Sequence, residues 1–548
     1  MLNFNPVPFD VVAGLKHWGI VMVAVLIVVF ITALLTSVLA LGLGGPWQVL
    51  VHIGRALGDL VGTSPRRCLA LAQLTFREAL RKKTLWVFAV FAVLFLFAGW
   101  FLSDVTVDAD LQVKNYVSFV LRTISWLILP VALLLACWGL PEDIRARSLH
   151  TVVTKPVRRH EIVLGRILGY TAIGGLVLAL MGGVGFVWII RQLPENMESQ
   201  LTARVPVYGE ISFKDNTGRD RDDQGKQLKE GINTGDENMF RSFIEGTTNA
   251  RAVWEFSNVD LPRLEQQGGL VFESSFQSFR TYKGNIERQL MCQYTLVNLT
   301  TDTKVRLKPF EVNEFRRNVY DVVKQNGELE DVSGKPVALA SLLDNGKLRV
   351  EVACLSSAQF LGMARPDLFI RLPDRPFYVS YFKSVFNIGL MMFMVVVLGV
   401  MSGCFVKGPV ATILTTSVVI IGRVWHGFLV SLVTGRISYN PNLKMSGTGL
   451  FDSLVRIPTH TNPTVELGDK FVYKMIKVLD EIELNGLWAI QHLFPDFGSF
   501  DTTEYVANAY DVPWSEAMLP SLMTTAGFCL PWILVGYFSL QLRELEAK

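Results

Sequence analysis

Apolar and polar positions alternate on two scales along this chain. On the long scale, seven uncharged or nearly uncharged apolar runs lie at 19–43, 84–102, 117–140, 163–190, 379–405, 409–433 and 518–540. Each approaches or exceeds the ~20 residues that a helix, rising about 1.5 Å per residue, needs to cross ~30 Å of hydrocarbon. The pattern predicts seven membrane-spanning helices. On the short scale, residues 192–378 are polar and carry strand-like pieces: RVPVYGEISF, ARAVWEFSNV, GGLVFESSF, RQLMCQYTLVNLT, TKVRLKPFEV and GKLRVEVACL. These are rich in Val, Phe and Tyr and are separated by turn signals, so they predict a β-sandwich. In 434–517, Phe471, Met475, Val478, Leu479 and Ile482 recur at helical spacing with charges between them. They predict an amphipathic helix that lies on a membrane surface or packs on the β domain.

Charge orients the runs. The segment before the second run holds Arg55, Arg66, Arg67, Arg77, Arg81, Lys82 and Lys83 against Asp59 and Glu78, and reads as cytoplasmic. The next loop holds Asp104, Asp108 and Asp110 against Lys114, and reads as outside. Alternation places 142–162 and Lys407 inside, 191–378 and 434–517 outside, the C-terminal tail inside and the N-terminus outside. The first run is longer than the apolar part of a cleaved signal segment, and Lys16 is the only basic residue ahead of it. The expected fold is a polytopic α-helical membrane protein with an inserted extracytoplasmic β-sandwich-like domain. Its parts are an extra span and interfacial segment (1–62), a first core with a cytoplasmic segment at 141–162 (63–191), the β domain (192–378), two more core spans (379–433), an outer loop (434–517), and a last span with its tail (518–548).

Composition agrees with this division. Half of the 548 residues are hydrophobic, only 18% are charged, and mean hydropathy is +0.34. A soluble chain carries about 25% charged residues. The six cysteines form no CxxC pair and the seven histidines form no HxH or HExxH group, so no metal or cofactor is expected in this chain. Without a GxxxxGK[ST] loop, nucleotide is not bound by that route. A net charge of +3, segregated along the chain, gives no reason to expect nucleic acid. Cys292 and Cys354 both fall in the β domain. They read either as a possible disulfide or as two buried thiols, and the thiols are the commoner case. Asn298-Leu299-Thr300 is a glycosylation sequon. Arg423 and His426 interrupt the sixth run, where ionisable residues are functional candidates, although an arginine in the outer half can also snorkel to the interface. Arg122 lies near the outer end of the third run.

Between the third and fourth runs stands EDIRARSLHTVVTKPVRRHEIVLGR, residues 142–166. Glu142, Asp143, Arg145 and Arg147 offer both charge signs, Pro156 stops a helix, and Glu161 begins the next one, where the helix dipole favours a carboxylate. The stretch resembles the cytoplasmic signature of ABC-2-type permeases. Asp143, Arg147, Ser148, Leu149, Thr154, Lys155, Pro156, Val157, Arg159, Glu161, Gly165 and Arg166 fill the positions of that pattern. Arg147 stands where Gly is usual, and Arg145 where a second acidic residue is usual. LTFREALRKKTLWVF (74–88) resembles the family's amphipathic lead-in helix, and FPDFGSFD (494–501) resembles its multicopper-enzyme-maturation branch.

The resemblance covers spans two to seven. It implies a non-enzymatic permease subunit in a bacterial cytoplasmic membrane, paired with a second permease (a copy of itself or a related chain). It also implies a separate ABC ATPase subunit that carries ATP and Mg, coupling through Glu142, Asp143, Arg145, Arg147, Ser148, Lys155, Pro156, Arg159 and Glu161, and transport more often outward than inward. The alternative is a membrane scaffold whose β domain recruits an envelope partner.

Overall fold

The computed structural model describes residues 9–542, apart from 43–44, 82–85, 103–108, 146–157, 193–200, 233–240, 281–289, 313–316, 445–448 and shorter breaks, most of them in 48–61, 222–229, 332–333, 438–439 and 463–470. Outside the β domain the main described helices are α1 (Val11–Leu41), α2 (Pro65–Arg81), α3 (Trp86–Leu102), α4 (Ala109–Arg145), α5 (Arg159–Gln192), α6 (Phe377–Phe405), α7 (Gly408–Ile420), α8 (His426–Thr434), α9 (Leu450–Thr459), α10 (Phe471–Leu493), α11 (Thr503–Ala507) and α12 (Leu519–Leu542). Five described helical stretches are long and apolar enough to cross a membrane: Leu111–Glu142, His160–Gln192, Phe377–Phe405, Gly408–Thr434 and Trp514–Tyr537. The other two expected spans coincide with α1 and α3, and α3 has only 17 residues.

The bundle is built around α6. Its spanning stretch is 78% buried, against 22–44% for the other four. Gly399 admits α4, since a Cβ there would lie 2.7 Å from the Ala136 Cβ, and on the α5 side the Tyr381 hydroxyl donates to the Gly182 carbonyl at 2.9 Å. α4 is longer than its apolar run. Its 37 residues extend about 55 Å, more than one hydrocarbon thickness. The sixth run is not one regular helix. A π-helical turn, Ile421–Trp425, separates α7 from α8.

α2 binds α5 through small residues. Its buried positions Cys68, Ala72, Thr75 and Ala79 form one stripe. Opposite them, a Cβ on Gly165 would lie 2.5 Å from the Leu71 Cβ, and one on Gly169 would lie 2.5 Å from the Thr75 Cβ. Two glycines four apart allow the backbones to approach.

Residues 202–376 form the separate β domain, with its own hydrophobic core. One four-stranded sheet has the order β1 (Thr202–Tyr208), β13 (Leu368–Pro376), β5 (Val271–Ser274), β10 (Asn318–Asp321). The largest sheet runs β2 (Glu210–Lys214), β4 (Arg251–Phe256), β11 (Leu348–Cys354), β7 (Leu290–Val297), β8 (Lys304–Arg306), with β9 (Phe310–Val312) also on β7. A third sheet joins β3 (Ser242–Glu245), β12 (Gln359–Met363) and β6 (Gln277–Arg280). Phe272 of the first sheet packs 5.4 Å from Tyr294 and 6.4 Å from Phe256 of the second, which makes the arrangement sandwich-like. β13 passes directly into α6 at Pro376–Phe377.

The amphipathic helix α10 has its principal contacts with α8 and α9. Asp480 of α10 accepts from the Phe451 and Asp452 amides at 2.9 Å each, so it caps α9 in trans.

Candidate functional site

At the end far from the β domain, α4 passes Pro141 and finishes with Glu142 and Arg145 exposed. Asp143 lies on the same last turn. Arg147, Ser148, Lys155 and Pro156 lie outside the described residues, and Arg159 is the first residue of α5. Glu161 has a different setting. It is fully buried, and its carboxylate accepts from the Arg158 amide at 3.0 Å and from the Ser64 amide at 2.9 Å. Arg67 lies 3.1 Å from it. One carboxylate therefore caps α5 and also holds the residue that precedes α2. His160 adds a 2.8 Å bond to the Thr63 hydroxyl, and Arg166 pairs with Glu78 of α2 at 2.6 Å. Glu161 fastens two helices and presents no face to solvent. The sequence points to a carboxylate at a helix start, but nothing in it pairs position 161 with position 64.

Beside this clamp, Glu78, Val131, Trp138, Glu142 and Tyr170 line an open groove of about 660 Å³. Gly139 makes room for Tyr170, since a Cβ there would lie 1.7 Å from its hydroxyl oxygen.

At the opposite end, Arg423 and His426 meet the FPDFGSFD segment. Arg423 lies 3.7 Å from Asp501, and His426 lies 3.7 Å from Asp496. These distances are too long for hydrogen bonds and suit loosely paired charges. The π turn makes the docking possible. It frees the Gly422 carbonyl, which accepts from the Phe497 amide at 3.1 Å. Gly422 is required there, because an ideal Cβ would lie 2.2 Å from the Pro495 carbonyl. Phe497 and Phe500 are fully buried in the bundle core. The two ionisable residues of the sixth run and the late motif thus form one structure, which neither alone reveals.

Asn387 of α6 gives no signal in the sequence. It is completely buried, and neither its amide nitrogen nor its oxygen has a partner among the described residues.

A charged joint connects the β domain to the bundle. Arg204 of β1 donates to Glu273 of β5 and to the Asn508 carbonyl, and its guanidinium lies 4.3 Å from the Tyr510 ring. Asp511 receives Arg375 of β13 at 2.7 Å and Lys383 of α6 at 2.8 Å.

Cys292 and Cys354 are directly opposed on β7 and β11, and both are free thiols. Burial pushes both thiols up, which disfavours the reactive thiolate. The sequon asparagine is occupied structurally. Asn298 is buried, donates to the Ser341 carbonyl at 2.7 Å and accepts from the Thr300 amide at 2.8 Å. Among the described residues no group of three His, Cys, Asp or Glu could hold a metal ion.

Compared with family models, curated proteins and solved structures, the chain matches none.

Proposed function

We propose that the chain is the membrane-spanning permease subunit of an ATP-driven ABC-2-type transporter, working as an exporter in a bacterial cytoplasmic membrane. ATP and Mg would be held by a separate ATPase subunit, and a second permease would complete the assembly. The observation that carries this reading is the clamp at Glu161. A partner pressing on the charged end of α4, at Glu142, Asp143 and Arg145, presses on a connection that leads to α5. Because Glu161 ties the start of α5 to Ser64 and Arg67, α2 and α5 move together. A stiff coupling of that kind converts a cytosolic push into a tilt of spans. The residue pattern at 142–166 adds the family resemblance.

Affinity purification of the full-length chain from native membranes tests this. An ATP-hydrolysing subunit is expected to co-purify, and to be lost when Asp143→Lys is combined with Arg147→Glu while membrane insertion is unchanged. Recovery of a β-domain partner with no nucleotide-hydrolysing subunit would replace this reading with the scaffold.

A further inference from the structure

Arg122 and the groove beside it are not used by the coupling reading and do not depend on it. On α4, Asn115, Ser118, Phe119, Arg122, Trp126 and Leu127 follow one another at helical spacing on a single face. With Leu94 of α3 they line an open groove of about 510 Å³. The groove changes character along its length. Asn115 and Ser118 make the part toward the β domain polar. Trp126 and Leu127, with Leu94, make the other part mostly apolar, with the Thr123 hydroxyl next to Arg122, which stands at the join.

Helix geometry gives the depth of that join. Glu142 follows Arg122 by 20 residues on the same helix, which is about 30 Å, one hydrocarbon thickness. With Glu142 at one boundary, Arg122 is at the other, on the β-domain side. Trp126, exposed one turn below it, occupies the depth where interfacial aromatic side chains collect.

Among the described residues charge is unbalanced there. Arg122 is exposed, and no acidic partner for it is found among the described residues. It also lines a small gap shared with Ser125, Arg423 and Asp501. Among the described residues two guanidinium groups and one carboxylate thus line this gap, and that carboxylate is 3.7 Å from Arg423. A guanidinium presents a fork of donors that matches a phosphate.

We propose that this groove binds one anionic phospholipid from the leaflet on the β-domain side. Its phosphate sits on Arg122 with Arg423 behind it, and an acyl chain runs down past Trp126, Leu127 and Leu94. The lengthwise polarity selects a lipid over a free anion, because a free anion would leave the apolar half uncovered.

The test uses the full-length chain in detergent, with phosphatidylglycerol, phosphatidylcholine and diacylglycerol as probes and bound lipid counted by native mass spectrometry. One phosphatidylglycerol per chain should be retained in preference to the other two. Arg122→Gln should weaken it about tenfold, and Arg122→Lys much less. Equal retention by R122Q overturns the proposal. So does displacement of the lipid by excess inorganic phosphate, which would mark a site for the free ion. Should R122Q not fold, phosphatidylglycerol brominated on its acyl chains decides the matter on the native chain. Quenching of the Trp126 emission, taken as the difference from Trp126→Phe, supports the proposal, and its absence overturns it.

Discussion

Single residues show where this molecule accepts a cost. A buried amide without partners costs about 1–3 kcal/mol. Asn387 carries such an amide in the most buried helix of the bundle. Asn387→Leu keeps the volume close and removes both unpaired atoms. It should therefore raise the thermal unfolding midpoint of the detergent-solubilised chain, whereas a lowered midpoint would mean the amide has a partner. Glu161 is the opposite case. Every bond it makes is accounted for by two backbone amides and an arginine.

The elements are legible from the sequence in proportion to how local their causes are. The seven apolar runs map onto helices because membrane length and hydropathy act on contiguous residues. The six strand-like pieces map onto β1 with β2, then β4, β5, β7, β8 with β9, and β11. The β-domain strands that the pattern misses, β3, β6, β10, β12 and β13, are mostly four or five residues long, and β13 contains Pro373 and Pro376. Proline within an apparent strand argues against one, yet β13 is fixed by β1 and β5 on its two sides. Nothing local announces the π turn at Ile421–Trp425, whose Gly422 carbonyl is bonded by the Phe497 amide, more than 70 positions away. The α2–α5 seam is intermediate. Gly165 and Gly169 are visible in the sequence, but their partner stripe is known only from the packing. Gly169→Leu should force the two helices apart and expose Cys68, which is 6% exposed in the seam. Maleimide labelling that increases at Cys68, against a Cys68→Ala control, is the expected result.

At the scale of the molecule, the β domain is tied to the bundle by backbone and by charge. β13 continues into α6 without a loop, and Asp511, in the segment that precedes α12, bonds both elements. Breaking a buried ion pair by removing one partner costs about 3–5 kcal/mol. Lys383, which loses its carboxylate in Asp511→Asn, is largely buried. Hydrogen exchange should therefore rise across 503–513 and the first turns of α6 in D511N, and stay unchanged in the core strand β11. Unchanged exchange at the joint would mean that the Arg204 contacts hold it alone. Those contacts leave no trace in the sequence, because they unite residues some 300 positions apart.

The burial of α6 has a consequence for biosynthesis. Its neighbours α4 and α5 are made first, and α6 emerges only after the ribosome has produced the β domain, residues 202–376. At about 5–20 residues per second that delay is roughly 10–35 s. Throughout it, the cleft between α4 and α5 lacks the helix that fills it. Until translation of the inserted domain is finished and α6 reaches its slot, the faces of α4 and α5 that it buries stay uncovered.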